Sequence, residues 1–168
     1  LQVTTQACKQ WLSIQLDTVK NAKGIMVLDD VCGFLSHDDF AEFAEPCLTE
    51  IFGAFPELLH LFHNDTDNDT CFSFLDRIGI DAVNPTCKKD IARIRRQLGS
   101  RVAIIGNIPP MALAEETSEA VRTLALASIE AYAAENGSTR GLILSTGGGA
   151  PMGARGENIA AMIEAATV

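Results

Sequence analysis

The densest chemistry in the sequence lies in LFHNDTDNDT, residues 61–70, where a histidine runs into a string of Asn, Asp and Thr directly after an apolar stretch. Four readings fit those residue types: a calcium loop, a pair of glycosylation sites, a metal or substrate site, and a solvated loop. Asp65, Asp67 and Asp69 match positions 1, 3 and 5 of an EF-hand loop, but Thr70 stands where position 6 needs glycine, Asp76 where position 12 needs a bidentate Glu, and a strand precedes instead of a helix. Asn64-Asp65-Thr66 and Asn68-Asp69-Thr70 satisfy N-x-[ST], yet residues 1–20 read as amphipathic rather than as a secretory leader, so glycosylation is not expected. A site built from His63, Asn64 and Asp65 is the remaining functional reading. An imidazole coordinates metal or moves a proton near neutral pH, and an aspartate two residues away orients it or joins it as a ligand. Asp67 and Asp69 are expected to be structural, as helix caps.

Similar residues close each of five apolar runs. Asp29 and Asp30 follow GIMVL, His63 to Asp65 follow ELLHLF, Asn84 ends IDAVNP, Asn107 sits in RVAIIGNIPP, and Ser145 and Thr146 end GLILSTGGG. Helical patterns separate the runs: residues 5–22, 38–55 (capped by Ser36 or Asp38), 70–79, 88–99, 118–137 (capped by Ser118) and 156–168. Strands alternating with helices predict an α/β fold with a parallel sheet, and in such folds ligands bind beyond the carboxyl ends of the strands. Those strand ends are therefore the expected site. Gly147, Gly148 and Gly149 would let backbone N–H groups approach an anion near the start of the last helix. No GxGxxG follows the first strand, and a glycine cluster after a late strand suits a (β/α)8 TIM-type barrel better than a doubly wound sheet. About five βα units are present, fewer than such a barrel needs. Half a barrel leaves open strand edges and an uncovered apolar interior, so the chain is expected to require its other half or a second copy.

Composition narrows the function classes. The chain has 168 residues, 47% of them hydrophobic, and a formal charge of −9. So acidic a protein is a poor partner for nucleic acid or an anionic membrane, and no apolar run approaches the roughly 20 residues that span a bilayer. Cys8, Cys32, Cys47, Cys71 and Cys87 are odd in number and contain no CxxC, which fits a reducing cytoplasm. The chain opens at Leu1 within a helical pattern, as a fragment of a longer chain would. KKDIARIRR (88–96) is the one basic cluster and reads as a solvated helix face.

Three stretches, DDVCGFLSHDDFAEFAEPCLTEIF (29–52), LGSRVAIIGNIPP (98–110) and LILSTGGGAPMGARGENIAAMIEA (142–165), lie in the order and at the spacing of the uroporphyrinogen decarboxylase superfamily, which also contains corrinoid-dependent methyltransferases. The resemblance implies that 1–168 is the C-terminal half of that family's barrel. Asp29 and Gly33 match the family's D-x-x-x-G strand end, and Asn107 its Gly-Asn before a proline turn. The family's zinc methyltransferases use His-x-Cys on one strand and a Cys after the last strand. The first pair falls on His60 and Phe62, and the last position on Gly148, where the decarboxylases carry histidine. One zinc ligand of three, His60, remains. The resemblance thus implies an enzyme that binds a small molecule, with Asp29, His60, His63 and Asp65 as catalytic residues and Asp30, Asn64, Asn84, Asn107, Ser145 and Gly147–Gly149 holding substrate or cofactor. Its reaction would be corrinoid-linked methyl transfer, with cobalamin on a partner protein and no zinc-thiolate set; the alternatives are porphyrinogen decarboxylation and non-catalytic corrinoid or tetrapyrrole binding. By the same transfer, His60, Phe62 and Asn64 should face the barrel interior.

Overall fold

The computed structural model describes residues 1–167. Helix α1 (Gln2–Thr18) leads into strand β1 (Gly24–Leu28), followed by a 3-10 turn (Val31–Phe34), α2 (His37–Asp39), a π turn (Phe40–Ala44) and α3 (Glu45–Gly53). The chain continues through β2 (Leu59–Asn64), α4 (Phe72–Ile78), β3 (Ala82–Pro85), α5 (Ile91–Leu98), β4 (Ala103–Ile108), α6 (Ala112–Glu115), α7 (Ser118–Asn136), β5 (Leu142–Thr146) and α8 (Gly156–Ala165). The predicted end of the last helix at residue 168 lies outside the described residues.

Every connection between strands carries a helix, which returns the chain to the same end of the sheet, and all four strand pairings are parallel. The strand order is β1-β2-β3-β4-β5, the order of a barrel wall. The sheet is not closed: β1 and β5 each pair with one neighbour only among the described residues. It is nonetheless curled. A Cβ built on Gly148, after β5, would stand 3.6 Å from Asp65 Oδ2, after β2.

The helices cover one face. Val27 pairs with Phe62, Phe62 with Val83 and Val83 with Ile104, and this row, with Ile25 on the same face below it, packs against Phe40, Phe52, Phe74 and Leu75. The other face has no helix on it. Its row Met26–Leu61–Ala82–Ala103 and the row above it, Leu28–His63–Asn84, lie where a closed barrel has its interior, and Leu28 is 68% exposed there. The orientation expected for β2 is therefore reversed. His60, Phe62 and Asn64 face the helices, and Leu61 and His63 face the uncovered side. The reason is packing: Phe62, 0% exposed, fills the gap between the sheet and its helix layer.

Local signals explain most helix ends. Ser36 caps α2 by accepting from Asp39 N, and Asp90 caps α5 by accepting from Arg93 N. The cap of α7 is Thr117, one residue before the expected Ser118. Pro46 has no N–H to give to Glu42, and the helix widens into its π turn directly before it. Helix α5 departs from the solvated face expected of its sequence. Ile91, Ile94, Arg95 and Leu98 form its buried stripe, and Arg95, 4% exposed, donates to Tyr132 Oη (3.0 Å) and to the Val102 carbonyl (2.9 Å).

Candidate functional site

The loop after β2 resolves the polar run at 61–70 into two halves. Asn64 Oδ1 accepts from Thr66 N (3.2 Å) and Thr66 Oγ1 (2.5 Å), and Asn68 Oδ1 accepts from Thr70 N (3.1 Å) and Thr70 Oγ1 (2.9 Å). These are two Asx turns in tandem. Asp67 and Asp69 cap nothing: Cys71 is the N-cap residue of α4 and no side chain caps the helix. They clamp the loop to the start of α5 instead. Lys89 Nζ lies 3.1 Å from Asp67 Oδ1 and 2.7 Å from Asp69 Oδ1, and Arg93 and Gln97 donate to Asp69 Oδ2. Burial pushes the Asp69 carboxyl upward, but hydrogen bonds from Lys89, Gln97 and Arg93 outweigh it and hold the group below the usual aspartate range. The latter half of the run is thus structural.

The former half divides by face. On the helix side, Asn64 is 2% exposed, and its Nδ2 donates to the Asp29 carbonyl (2.8 Å) and reaches Cys32 Sγ at 3.7 Å. Its polar atoms are all engaged within the protein. His60 lies lower on the same face, with Nδ1 2.9 Å from the Gly79 carbonyl, Nε2 3.0 Å from the Phe55 carbonyl and its ring against Phe52. Both ring nitrogens meet carbonyl oxygens, so no lone pair is open to a metal or a substrate. The assignment of His60 as catalytic or metal-binding is corrected accordingly.

On the uncovered side, His63 is half-buried and its Nδ1 lies 2.8 Å from Asn84 Oδ1. Its Nε2 has no hydrogen-bond partner among the described residues. Asn84 pairs with His63 in register, and its Nδ2 donates to the Ile105 carbonyl (2.6 Å) and, across β4, to the Thr146 carbonyl (2.9 Å). Asp65 is exposed, and its backbone N–H donates to Asp30 Oδ1 (2.6 Å), which joins the mouths of β1 and β2. Asp29 Oδ1 accepts from Cys32 N (3.1 Å) and holds the 3-10 turn. None of Asp29, Asp30 and Asp65 is ion-paired among the described residues.

On the far side of the mouth, Asn107 Nδ2 donates to the Lys89 carbonyl (2.7 Å) and so anchors the loop after β3. Ser145 pairs with Asn107 in register and is half-buried. Thr146 Oγ1 donates to the Gly148 carbonyl (2.6 Å), folding the glycine loop back on itself. Gly148 has φ +114°, and a Cβ on Gly147 would overlap the backbone N of Cys87. Cys87 is thus a rim residue that sequence reading passed over, because only the fold brings it against the glycine loop. The cysteine behind β1 is different in kind: burial above all, with the Asp29 charge and Cys71 adding to it, pushes the Cys32 thiol well up.

The strand ends therefore bring together His63, Asn84, Asp29, Asp30, Asp65, Ser145 and the glycine loop, with Asn107 in register beside Ser145 and its Nδ2 given to the Lys89 carbonyl, and leave out His60 and Asn64, whose polar groups serve the scaffold. Among the described residues, no three His, Cys, Asp or Glu side chains converge as metal ligands. On the uncovered face the His-x-Cys spacing meets Leu61 and His63, and Gly148 supplies no thiolate. The residues present do not fit a zinc-thiolate centre.

Comparison with known proteins bears on the same open sheet and its helices. The family model described as Uroporphyrinogen decarboxylase (URO-D) matches residues 1–167. Uroporphyrinogen decarboxylase from Chlorobaculum parvum is 32% identical over 118 residues, 67% of this chain and 32% of that protein. The Hordeum vulgare decarboxylase is 26% identical over 99% of this chain and 49% of its own length. Among solved structures, a methyltransferase from Methanosarcina mazei superposes with a TM-score of 0.79 at 20% identity, covering 96% of this chain and 46% of that one. The chain spans at most about half the length of these relatives. None of its described helices is long and apolar enough to cross a membrane.

Proposed function

The chain belongs to the uroporphyrinogen decarboxylase family, and on that premise we propose that it forms one wall of an enzyme site in which His63 moves the proton of a corrinoid-linked methyl transfer. The observation that carries this reading is His63: its Nδ1 is held by Asn84 and its Nε2 has no hydrogen-bond partner among the described residues, at a strand end flanked in the chain fold by Asp29, Asp30 and Asp65, none of them ion-paired among the described residues. Methyl transfer to a thiol releases the proton of its S–H group, and a positioned imidazole with a bare nitrogen accepts it. An acidic mouth also suits a neutral or cationic small molecule. A corrinoid, when bound, supplies the metal centre that carries the methyl group. The exposed apolar side chains of Val31, Phe34, Met111 and Met152, on the loops after β1, β4 and β5, fit its flat face. In this reading Asp29 and Asp65 orient the substrate, and the open glycine loop admits it closely. A cytoplasmic setting suits the five free thiols.

Porphyrinogen decarboxylation is the second reading, favoured by the names of the curated relatives. It asks for cations against acetate side chains, and the three mouth carboxylates oppose that.

The test incubates the intact gene product separately with methylcobalamin plus a thiol, with reduced cobalamin plus methylated amines or ethers, and with uroporphyrinogen. Methyl transfer seen in the corrinoid spectrum, and lost in His63→Ala, supports the proposal. Carbon dioxide release from the porphyrinogen replaces it with decarboxylation. Corrinoid binding without turnover leaves a binding module.

A further inference from the structure

Asn84 stands where polar groups of four strands meet. Its amide nitrogen donates to two carbonyls, Ile105 on β4 at 2.6 Å and Thr146 on β5 at 2.9 Å, and its amide oxygen lies 2.8 Å from His63 Nδ1 on β2. The two carbonyls fix the orientation of the amide, because turning it over would set its oxygen against two other oxygens. That oxygen only accepts, so the hydrogen of the shared bond belongs to His63 Nδ1. Asn84 is itself 7% exposed, which keeps water from competing for these bonds.

We infer that Asn84 is a positioning residue that locks His63 in the Nδ1–H tautomer and leaves Nε2 as the bare nitrogen on the substrate side. The catalytic consequence rests on the proposed role of His63; the tautomer itself does not. The same amide fixes the ring to the glycine loop, because the Thr146 carbonyl is its second anchor and Thr146 Oγ1 holds Gly148. A ligand that moves the loop after β5 would therefore move the imidazole as well.

The test reads the ring nitrogens of His63 by 15N NMR of histidine-labelled protein, at a pH where the ring is neutral, with His63→Gln to assign the signals. The expected result is a protonated Nδ1 and an unprotonated Nε2. Asn84→Ala should give a mixture of tautomers. Asn84→Asp restores the acceptor but not the two donors, so it should recover the tautomer without recovering thermal stability. A purely structural Asn84 would show no such split. Protonated Nε2 in the parent, or an unchanged tautomer in Asn84→Ala, would overturn the inference. Should Asn84→Ala fail to fold, the parent spectrum and Asn84→Asp still decide. In turnover, Asn84→Ala should lower kcat about 10- to 100-fold with little change in KM, as loss of an outer-shell partner does elsewhere. An intact tautomer lock in a protein whose methyl transfer survives His63→Ala would refute the function proposed for His63 and leave the lock standing.

Discussion

Gly33→Ala tests whether the 3-10 turn after β1 and the loop after β2 are one packed unit. Gly33 is buried, and a Cβ there would overlap Thr66 Oγ1 and come within 2.8 and 2.9 Å of Asn64 Nδ2 and Oδ1. The methyl group can enter only by displacing both side chains. That displacement breaks the Thr66 Oγ1 bond to Asn64 Oδ1 and loosens the Asn64 Nδ2 bond to the Asp29 carbonyl. At about 1 kcal/mol net for each buried hydrogen bond, with about 1–3 kcal/mol of overpacking strain, the gross cost is about 3–5 kcal/mol. The lower unfolded-state entropy of alanine returns about 0.4–1 kcal/mol. The expected destabilisation is about 2–4 kcal/mol, or roughly 5–15 °C in Tm for a chain of this size. Urea denaturation of Gly33→Ala, Thr66→Ala and the double variant measures it. Thr66→Ala alone should cost about 1 kcal/mol. Because it removes the overlapping hydroxyl, the double variant should be more stable than the sum of the single effects by at least about 1 kcal/mol. Additivity within about 0.5 kcal/mol, or a Gly33→Ala protein as stable as the parent, would refute the packing argument.

The Asp69 clamp predicts an acid limb. Its folded-state pKa is depressed, so its contribution is fully present above the unfolded value of about 3.9 and is lost as pH falls through the lower folded value; Asp69→Asn should flatten the pH dependence of stability in that window. Lys89 behaves oppositely: desolvation would lower its pKa, but bonds to Asp69 and Asp67 raise it, so its contribution holds below about 10.4 and fades as pH rises through the folded value. The thiols should sort by environment in a labelling time course. Exposed Cys8 reacts first, whereas Cys71, pushed up to about 12 by burial, and Cys32 react only through unfolding; fast native-state labelling of Cys71 would contradict the core described. Arg95→Met should destabilise by about 2–4 kcal/mol, because Tyr132 Oη and the Val102 carbonyl lose a buried donor, and chemical denaturation that shows no loss would place Arg95 outside the core.

The elements were legible because each rests on a local cause. Apolar periodicity marks the strands and helices, and Gly79 and Gly137 stop α4 and α7 where the sequence puts them. Features that depend on distant partners were not legible. Asp67 and Asp69 read as caps because a cap is the local use of an aspartate, while Lys89 and Arg93, about twenty residues away, are their real partners. Arg95 read as solvated because nothing nearby in sequence announces Tyr132. Cys87 gained its place on the rim only through the close approach of Gly147.

The orientation of β2 is the most consequential of these. LHLFHN carries apolar residues at both parities, so its own pattern does not choose a face, and the family spacing pointed to His60 and Phe62. Packing chooses otherwise: the largest side chain of the strand goes to the helix layer, in line with Val27 on one side and Val83 and Ile104 on the other. A one-residue shift of this kind exchanges every side chain of a strand between faces. It does not improve the case for zinc, since Leu61 offers a metal no more than Phe62 does. It does change the acid/base argument. His60, expected to be catalytic and a possible zinc ligand, is instead a scaffold residue closed by two carbonyls. His63 becomes the imidazole on the open face, and it arrives with a partner, Asn84, that leaves one particular nitrogen free. The chemistry this open sheet brings to the site is therefore better described as a fixed proton acceptor than as a metal centre that has lost its ligands.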